Sequence, residues 1–165
     1  MRILVVSDSH SGLSFMLRCA NSVKPDVIIH LGDYYDDGEE LRDANPNARV
    51  YLLPGNCDRF RAARFAKEIL TDKIDGVKFY MTHGHLHNVK STLVRLVSDA
   101  RAAGADVALY GHTHQVDCHQ EDDGMWVLNP GSCGYFGGSA GLIEVADKKV
   151  KVCRIIRDSN LEEFT

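Results

Sequence analysis

Residues 2–10 read RILVVSDSH, an apolar run followed at once by an aspartate and a histidine. The same order of apolar run and polar loop returns four times, as IIHLGD at 28–33, LLPGNCD at 52–58, FYMTHGH at 79–85 and ALYGHTH at 108–114. Short apolar runs bounded by turn-forming residues predict buried strands. Ligands of open α/β sheets bind beyond the carboxyl ends of strands, so the five polar loops are predicted to converge on one point.

Helices are predicted between some of these strands. Apolar residues at helical spacing begin at Leu13 and stop before Pro25, and a clearer helix is predicted from Asn88 to Ala103. Strands are predicted at 2–6, 27–29, 50–53, near 67–71, 77–82, 107–110, 116–119, 125–128, 142–145 and 150–156, with a hairpin turn at 75–76 and a Gly-rich loop over 129–141. Alternating strands and helices followed by strands predict an α/β sandwich, in which two sheets are flanked by helices.

The composition is typical of a globular protein. The chain has 165 residues, which predicts one domain over 1–165, and 44% of the residues are hydrophobic. The net charge of −4 argues against a surface for polyanions, so no stable nucleic-acid partner is expected. No apolar run approaches the ~20 residues that cross a bilayer and no signal peptide is visible, so no membrane association is expected. Five cysteines without a Cys-x-x-Cys pair indicate free thiols and a cytoplasmic location.

The polar loops supply a set of metal ligands. A single aspartate or histidine in such a loop has a simple structural explanation, because aspartate is common in turns and histidine is often a surface residue. Five clusters after five separate strands are much harder to attribute to chance. The set contains two aspartates, one asparagine and four histidines, namely Asp8, His10, Asp33, Asn56, His83, His112 and His114.

This donor set indicates borderline divalent ions. Oxygen and imidazole donors without thiolates suit Mn²⁺, Fe²⁺, Ni²⁺ or Zn²⁺ better than Ca²⁺ or a Cys-rich structural zinc. Seven donors exceed the capacity of one tetrahedral ion, and they fit two ions if one carboxylate bridges them. Two divalent ions would outweigh the charges of Asp8 and Asp33, so the site could hold an anionic phosphate although the chain is acidic.

In their order along the chain, these motifs resemble those of the calcineurin-like metallophosphoesterase superfamily. They are Asp8-x-His10, Gly32-Asp33, Gly55-Asn56, His83 and Gly111-His112-x-His114. The resemblance runs from Asp8 to about Ser132, and it is greatest to the compact single-domain phosphodiesterases of bacteria and archaea. It implies a four-layer α/β/β/α sandwich of two mixed sheets flanked by helices, with a dinuclear metal centre at one end.

The resemblance also implies a role for each ligand. One ion would be held by Asp8, His10 and His114, and the other by Asn56, His83 and His112, with Asp33 as the bridge. Mn²⁺ is favoured as the active metal, with Ni²⁺, Fe²⁺, Zn²⁺ and Mg²⁺ as alternatives. A hydroxide between the ions would attack phosphorus in line with the leaving alkoxide, and Asn56 is expected to be catalytic as well as a ligand.

Two departures from the family pattern bear on the substrate. Many relatives have a histidine at the position of Cys57, where it is thought to assist the leaving group, and a neutral thiol is a poor acid at neutral pH. His85 is the best substitute as catalytic acid, although a supporting or surface role explains it equally well. Relatives often carry an arginine after the Asn-Pro-Gly-Ser loop, whereas here Tyr135 and Phe136 follow, either to stack on an aryl group or nucleobase or to pack locally.

The remaining polar residues are predicted to be structural. His30 is expected to support the metal loops, His87 and His119 to face solvent, and Asp58 to orient a ligand. Solvated faces are expected for the acidic runs Asp36-Asp37, Glu39-Glu40 and Asp122-Asp123. Core or loop positions without a nucleophilic role are expected for Cys19, Cys57, Cys118, Cys133 and Cys153.

The chain is therefore predicted to be a metal-dependent phosphodiesterase that acts on small, aryl or nucleotide phosphodiesters. A chain of this length has little room for a cap domain, so an open site with loose specificity is expected. One alternative is a non-catalytic scaffold on the same fold, similar to the small retromer subunit, and another is a single-metal hydrolase. Exposed β-rich segments near the C-terminus leave a homodimer open.

Overall fold

The structure is a computed structural model that describes residues 1–58 and 65–164. The strands are β1 Arg2–Val6, β2 Val27–His30, β3 Arg49–Leu52, β4 Ile69–Ile74, β5 Val77–Thr82, β6 Val107–Leu109, β7 Val116–Gln120, β8 Trp126–Pro130, β9 Ser139–Ala146 and β10 Lys149–Arg157. The α-helices are α1 Leu13–Val23, α2 Tyr35–Ala44 and α3 Val94–Ala102, and short 3₁₀ helices span His85–His87 and Asp158–Phe164.

The strands form two mixed five-stranded sheets. The first has the order β10-β9-β1-β2-β3, in which β1, β2 and β3 are parallel while β9 and β10 pair antiparallel. The second has the order β4-β5-β6-β8-β7, in which β5, β6 and β8 are parallel and the two edge strands are antiparallel. Because the central strands of each sheet are parallel, their carboxyl ends lie at a common edge.

Burial of apolar side chains produces four layers. Between the sheets lies one cluster that joins residues of β1 and β2, such as Val5 and Ile29, to residues of the second sheet, such as Phe79 and Leu109. On the outer face of the first sheet, Leu4 and its neighbours pack against α1 and α2, and on the outer face of the second a third cluster packs against α3. The expectation of a four-layer α/β/β/α sandwich is confirmed.

Several predicted boundaries were wrong. α2 was not predicted, because only Gly38 and Leu41 of its ten residues are buried and it therefore lacks an apolar period. α3 begins at Val94 rather than Asn88, where a left-handed backbone with φ of 54° interrupts the helix. β4 covers 69–74 rather than 67–71, and β9 begins at residue 139, inside the predicted Gly-rich loop. Within the described residues, no helix combines the length and the hydrophobicity that crossing a membrane requires.

Two free thiols, one on an edge strand of each sheet, lie close together. Cys118 on β7 and Cys153 on β10 are both half-buried, and their Sγ atoms lie 3.4 Å apart. Diamide should therefore oxidise this pair to a disulfide, which removes two protons and two electrons from the thiols. A cross-link over this separation stabilises a protein by about 4 kcal/mol, so the melting temperature should rise by several degrees. Mass spectrometry of a non-reduced digest and a thermal melt would check both effects.

The control for this prediction is Cys57→Ser, which removes an exposed thiol and should leave the stabilisation intact. Cys118→Ser should abolish it. Recovery of the peptides containing Cys118 and Cys153 as free thiols after oxidation of the unaltered protein would contradict the prediction.

Candidate metal centre

The polar loops meet at one end of the sandwich, and their backbone is unusual. Left-handed φ values occur at Asp8 (51°), His10 (41°), Asp33 (58°), His112 (69°) and His114 (60°). A residue with a side chain costs about 1–2 kcal/mol in this conformation. Such strain concentrates at functional sites, where the surrounding structure holds it in place. Backbone geometry therefore marks the same loops as the residue types do.

Asp8 is fully buried, and its two carboxylate oxygens have different surroundings. Oδ2 accepts hydrogen bonds from the Ser7 hydroxyl at 2.5 Å and from the backbone N–H of His112 at 3.0 Å. Oδ1 accepts no hydrogen bond and lies 3.2 Å from Nε2 of His114. Leaving a buried carboxylate oxygen unsatisfied is costly unless a cation neutralises it. The orientation of Asp8 thus fits a metal ion opposite Oδ1.

Four residues converge tightly around this oxygen. One potential ligand atom from each of Asp8, His10, Asp33 and His114 lies within 4.8 Å of those of the others. Nε2 of His10 is 3.3 Å from Nε2 of His114 and 4.0 Å from Oδ2 of Asp33. Two imidazole nitrogens and two carboxylates directed at one point are a donor set that binds divalent metal ions.

His83 and Asn56 form a second group next to the first. Nδ1 of the fully buried His83 donates to the Leu31 carbonyl at 2.8 Å, because a carbonyl can only accept. The other ring nitrogen, Nε2, faces the amide Oδ1 of Asn56 at 3.2 Å. When Nε2 carries no proton, both atoms direct lone pairs at each other, and a cation between them would stabilise this arrangement. The hydrogen bond to Leu31 also fixes the ring orientation that a metal ligand needs.

His112 lies beside this second group rather than inside the tight cluster. Its ring centroid is 5.1 Å from that of His83. Burial, followed by the nearby His83 and Lys90, lowers the pKa of His112 to about 4. The ring is therefore neutral near pH 7, which is the state that binds a metal ion.

Asp33 lies between the two groups. Its Oδ1 is 3.6 Å from Nε2 of His83, whereas its Oδ2 faces His10. Oδ1 also accepts a hydrogen bond from the backbone N–H of Cys57 at 3.0 Å. Burial acts to raise the pKa of Asp33, but His83, Cys57 and His10 outweigh it and hold the pKa below its ordinary value. Asp33 is thus an ionised carboxylate with one oxygen toward each group.

Asp58 holds the two loops together from behind, in agreement with the orienting role predicted for it. Its Oδ2 accepts from the backbone N–H groups of Asp33 at 2.9 Å and Gly55 at 2.7 Å, and its Oδ1 accepts from Tyr35 at 2.9 Å. Asp58 is 7% exposed, so these bonds are shielded from water. They fix the position of Asp33 relative to the loop that carries Asn56.

Two other supports were missed by sequence reasoning. Asp37, which was predicted to be solvated, accepts hydrogen bonds from the Ser9 hydroxyl at 2.7 Å and the Ser11 N–H at 3.0 Å. The Ser132 hydroxyl donates to the backbone carbonyl of Asp8 at 2.7 Å. The Asn-Pro-Gly-Ser motif was a signal for Ser132, whereas the role of Asp37 depends on the unpredicted helix α2.

The structure separates the other histidines by role. His30 is fully buried, in agreement with its expected supporting role, and its Nδ1 accepts from the Gly32 N–H at 3.2 Å. The prediction that His87 faces solvent was wrong: the residue is 2% exposed and its Nε2 lies 2.9 Å from the Tyr80 hydroxyl. The cause is the 3₁₀ turn after His83, which places His87 within 3.4 Å of Asp99 in α3. His119 is half-exposed between two acidic side chains.

His30 makes the fold sensitive to acid. Burial lowers its pKa to about 4, although the facing carboxylates of Asp58, Asp8 and Asp37 act to raise it and His83 adds to the lowering. The unfolded chain binds this proton near pH 6.5, so the stability is intact above that pH and is lost progressively down to about pH 4, by about 3 kcal/mol. Thermal melts of chelator-treated protein should therefore show a smaller decline between pH 7 and pH 4 for His30→Asn, which retains an acceptor for Gly32. Equal declines in both proteins would contradict the prediction.

The two candidates for leaving-group acid are placed differently. His85 is largely buried, with its ring centroid 5.4 Å from that of His83 and its Nε2 3.6 Å from Glu68. Cys57 is an exposed residue. Partial desolvation of its thiol, together with the nearby charge of Asp33, raises the pKa of the thiol to about 11. A thiol with so high a pKa is a weak proton donor near pH 7, whereas an imidazole can donate there.

Aromatic rings line the outer side of the site. The centroid of Tyr34 lies 4.9 Å from that of His10, and the centroid of Tyr135 lies 5.0 Å from it. Tyr135 also stacks on His114, with centroids 5.4 Å apart and an interplanar angle of 20°. The mouth of the site is therefore lined by aromatic rings on the side of His10 and His114.

Known proteins share this sequence and fold. A family model described as the calcineurin-like phosphoesterase superfamily domain matches residues 1–148. A probable metallophosphoesterase of Bacillus subtilis is 36% identical over 136 residues, which is 80% of this chain and 75% of that protein. A protein of Methanocaldococcus jannaschii named as a phosphodiesterase is 29% identical over 168 residues, which is 92% of this chain and 97% of that protein.

Solved structures agree with the sequence relatives. A predicted phosphoesterase of Streptococcus pneumoniae has a TM-score of 0.75 at 27% identity, and the match covers 94% of this chain and 88% of that one. Vps29 of Entamoeba histolytica, solved in complex with zinc, has a TM-score of 0.72 at 22% identity, over 95% of this chain and 99% of that one. At that identity the likeness to Vps29 shows a shared fold alone.

Proposed function

Because this chain belongs to the calcineurin-like phosphoesterase superfamily, we propose that it is a dinuclear metal-dependent phosphodiesterase. The observation that carries the proposal is the buried Oδ1 of Asp8, which accepts no hydrogen bond and lies in a cluster of four potential ligands. This arrangement fits a metal-binding site, whereas a fold maintained only for packing would satisfy the oxygen with a donor.

We assign two ions to the two groups of ligands. Asp8, His10 and His114 would hold one ion, Asn56, His83 and His112 would hold the other, and Asp33 would contribute to both. The position of Asp33, with one oxygen toward each group, supports this bridging role. Oxygen and nitrogen donors without a thiolate favour Mn²⁺, with Ni²⁺, Fe²⁺, Zn²⁺ and Mg²⁺ as alternatives.

The residues of the chain prepare the reaction. When bound, divalent ions would supply an activated water and neutralise the charge on the phosphate oxygens. Ser7, the His112 backbone N–H and Asp58 hold Asp8 and Asp33 in place, and Leu31 fixes His83 with Nε2 toward the site. His85 stands beside the second group and donates a proton to the departing alkoxide. The substrate is a small phosphodiester, and residues 1–165 act as one domain with an open site.

The metal content and the reaction can be tested together. Protein purified anaerobically should contain about two divalent ions per chain and hydrolyse bis-p-nitrophenyl phosphate. Chelation should abolish turnover, and Mn²⁺ should restore it. A panel of phosphomonoesters, aryl diesters and cyclic nucleotides, run with each candidate metal, would identify the substrate class. Hydrolysis of monoesters alone would refute the diesterase assignment, and a content of one ion in fully active protein would refute the dinuclear one.

Replacing His85 should separate substrates by their leaving group. His85→Ala should slow diesters with alkyl alcohol leaving groups by about 100-fold or more, since general acid catalysis contributes 10²–10⁴-fold. Esters of p-nitrophenol should lose much less, because that leaving group departs without a proton. The measurement is kcat/KM across a series of leaving groups, with the half-exposed His119→Ala as control. Equal losses for alkyl and aryl esters would remove His85 from this role.

A scaffold on the same fold is the second candidate. Vps29 shares the fold of this chain, so the fold alone leaves this candidate open. Ligand-type residues at all seven positions favour the enzyme instead. A chain that binds metal but turns over no phosphoester with any added divalent ion would support the scaffold. The same study would determine the oligomeric state, for which a homodimer is one outcome. It would also determine whether the protein is cytoplasmic, as its free thiols suggest.

A further inference from the structure

We propose that Tyr34 and Tyr135 form a stacking site for a planar aromatic group on the substrate. The substrates preferred under this proposal are phosphodiesters that carry a nucleobase or another aromatic ring close to a single phosphate. The inference rests on the proposed function, because the metal centre is what would place the phosphate beside these rings. It adds the chemical class of the group attached to that phosphate.

The two rings flank one metal-ligand candidate. Tyr34 approaches His10 edge-on at 62°, and Tyr135 approaches it at 49°, with both centroids about 5 Å from His10. Tyr135 further stacks on His114. A phosphate placed by the metal centre next to His10 and His114 would therefore have an aromatic surface within reach of its ester arm, and base–aromatic stacking is a strong, sequence-tolerant interaction.

The rings are not placed there by core packing. Tyr34 is 43% exposed and Tyr135 47% exposed, and the neighbouring Phe136 is 87% exposed. Apolar rings of this size are usually buried, and an exposed group of them beside a cleft marks a binding surface. Phe136, whose centroid is 6.4 Å from that of Tyr135, extends the surface outward.

Two of the aromatic residues have a strained backbone. Tyr34 has a φ of 68° and Phe136 a φ of 55°. Bulky residues rarely adopt this left-handed conformation, and it persists at sites where function requires it. Asp58 anchors the next residue after Tyr34, and the Ser132 hydroxyl accepts from the backbone N–H of Tyr135 at 3.1 Å. These hydrogen bonds fix the backbone next to each of the two strained residues.

A cavity beside Tyr34 limits the size of the bound group. It measures about 330 Å³ and is lined by His10, Tyr34, Tyr35, Asp36, Cys57 and Asp58. This volume is at the lower end of small-molecule sites, so it suits one ring system.

The test keeps the leaving group constant and varies the other arm. All substrates are p-nitrophenyl phosphodiesters, whose second arm is ethyl, phenyl, 5′-thymidine or the corresponding abasic deoxyribose. We expect kcat/KM for the thymidine ester to exceed that of the abasic ester by about tenfold or more. The phenyl ester shows whether any ring suffices or a nucleobase is required.

Variants then attribute the preference to the rings. Tyr34→Leu and Tyr135→Leu should each lower the ratio of thymidine to abasic ester severalfold, whereas Tyr34→Phe and Tyr135→Phe should preserve it. Phe164→Leu is the control, because this ring lies under Arg154 at the far C-terminal turn. A ratio near one in the unaltered protein, or an equal ratio in the leucine variants, would overturn the proposal. Failure to hydrolyse any ester with any metal would instead refute the proposed function.

Discussion

The Asp33→Asn variant is expected to lose about 1,000-fold in kcat/KM toward a phosphodiester, because metal ions contribute several kcal/mol of transition-state stabilisation. Asparagine is nearly isosteric and keeps an acceptor for the Cys57 N–H, so the fold should survive. It removes the negative charge between the two groups of ligands and one of the two oxygens that face them. Fewer ions should therefore bind, which elemental analysis would measure beside turnover.

The matched control is Asp147→Asn. This substitution removes the same charge, but from a side chain that is 85% exposed. Activity and metal content should both stay at the original level. An Asp33→Asn protein that retains two ions and full turnover would show that Asp33 does not join the two groups.

Gly55→Ala is expected to destabilise the protein by about 3–5 kcal/mol, at the upper end of overpacking effects. A Cβ at this position would overlap Oδ1 and the backbone nitrogen of Asp33 and lie 2.8 Å from its Cγ. Two of these atoms are tied to Asp58 and Cys57 by hydrogen bonds, so they cannot move without breaking the support of the site. The variant should lose metal as well as stability.

Gly137→Ala provides the comparison for steric crowding. A Cβ at residue 137 would have no atom within 4 Å, but the φ of 81° carries the same left-handed penalty as other such positions. It should cost only about 1–2 kcal/mol. Thermal melts and metal content of the two variants would separate crowding from backbone strain. A Gly55→Ala protein with the same melting temperature as the unaltered protein would contradict the close approach of the two loops.

Much of the site could be predicted because every ligand lies in a loop that directly follows a strand. An apolar run marks where a strand ends, and parallel strands end together, so Asp8, Asp33 and His83 could be placed at one edge without coordinates. Asp58 could be assigned a supporting role because it follows Asn56 by two residues. The assignment of ligands to two separate ions came from the family resemblance, and the position of Asp33 is compatible with it.

The rest depends on tertiary contacts that leave no local pattern. α2 has no apolar period, so its acidic residues could be taken for a solvated run, although Asp37 supports the loop of His10. His87 follows two other histidines in a polar stretch, and only the fold brings it under Tyr80. Stacking by Tyr135 and Phe136 could be proposed from the sequence, but the contribution of Tyr34, about a hundred residues from Tyr135, required the fold.

The left-handed backbone of the ligand loops has an evolutionary consequence. Each such residue lowers the stability of the fold whether or not a metal is bound, so a lineage that abandoned hydrolysis would gain stability by replacing it with glycine. Substitutions at these positions would therefore be favoured once selection for catalysis ends. In this chain aspartate or histidine, rather than glycine, stands at all five positions, so the fold bears this strain in full.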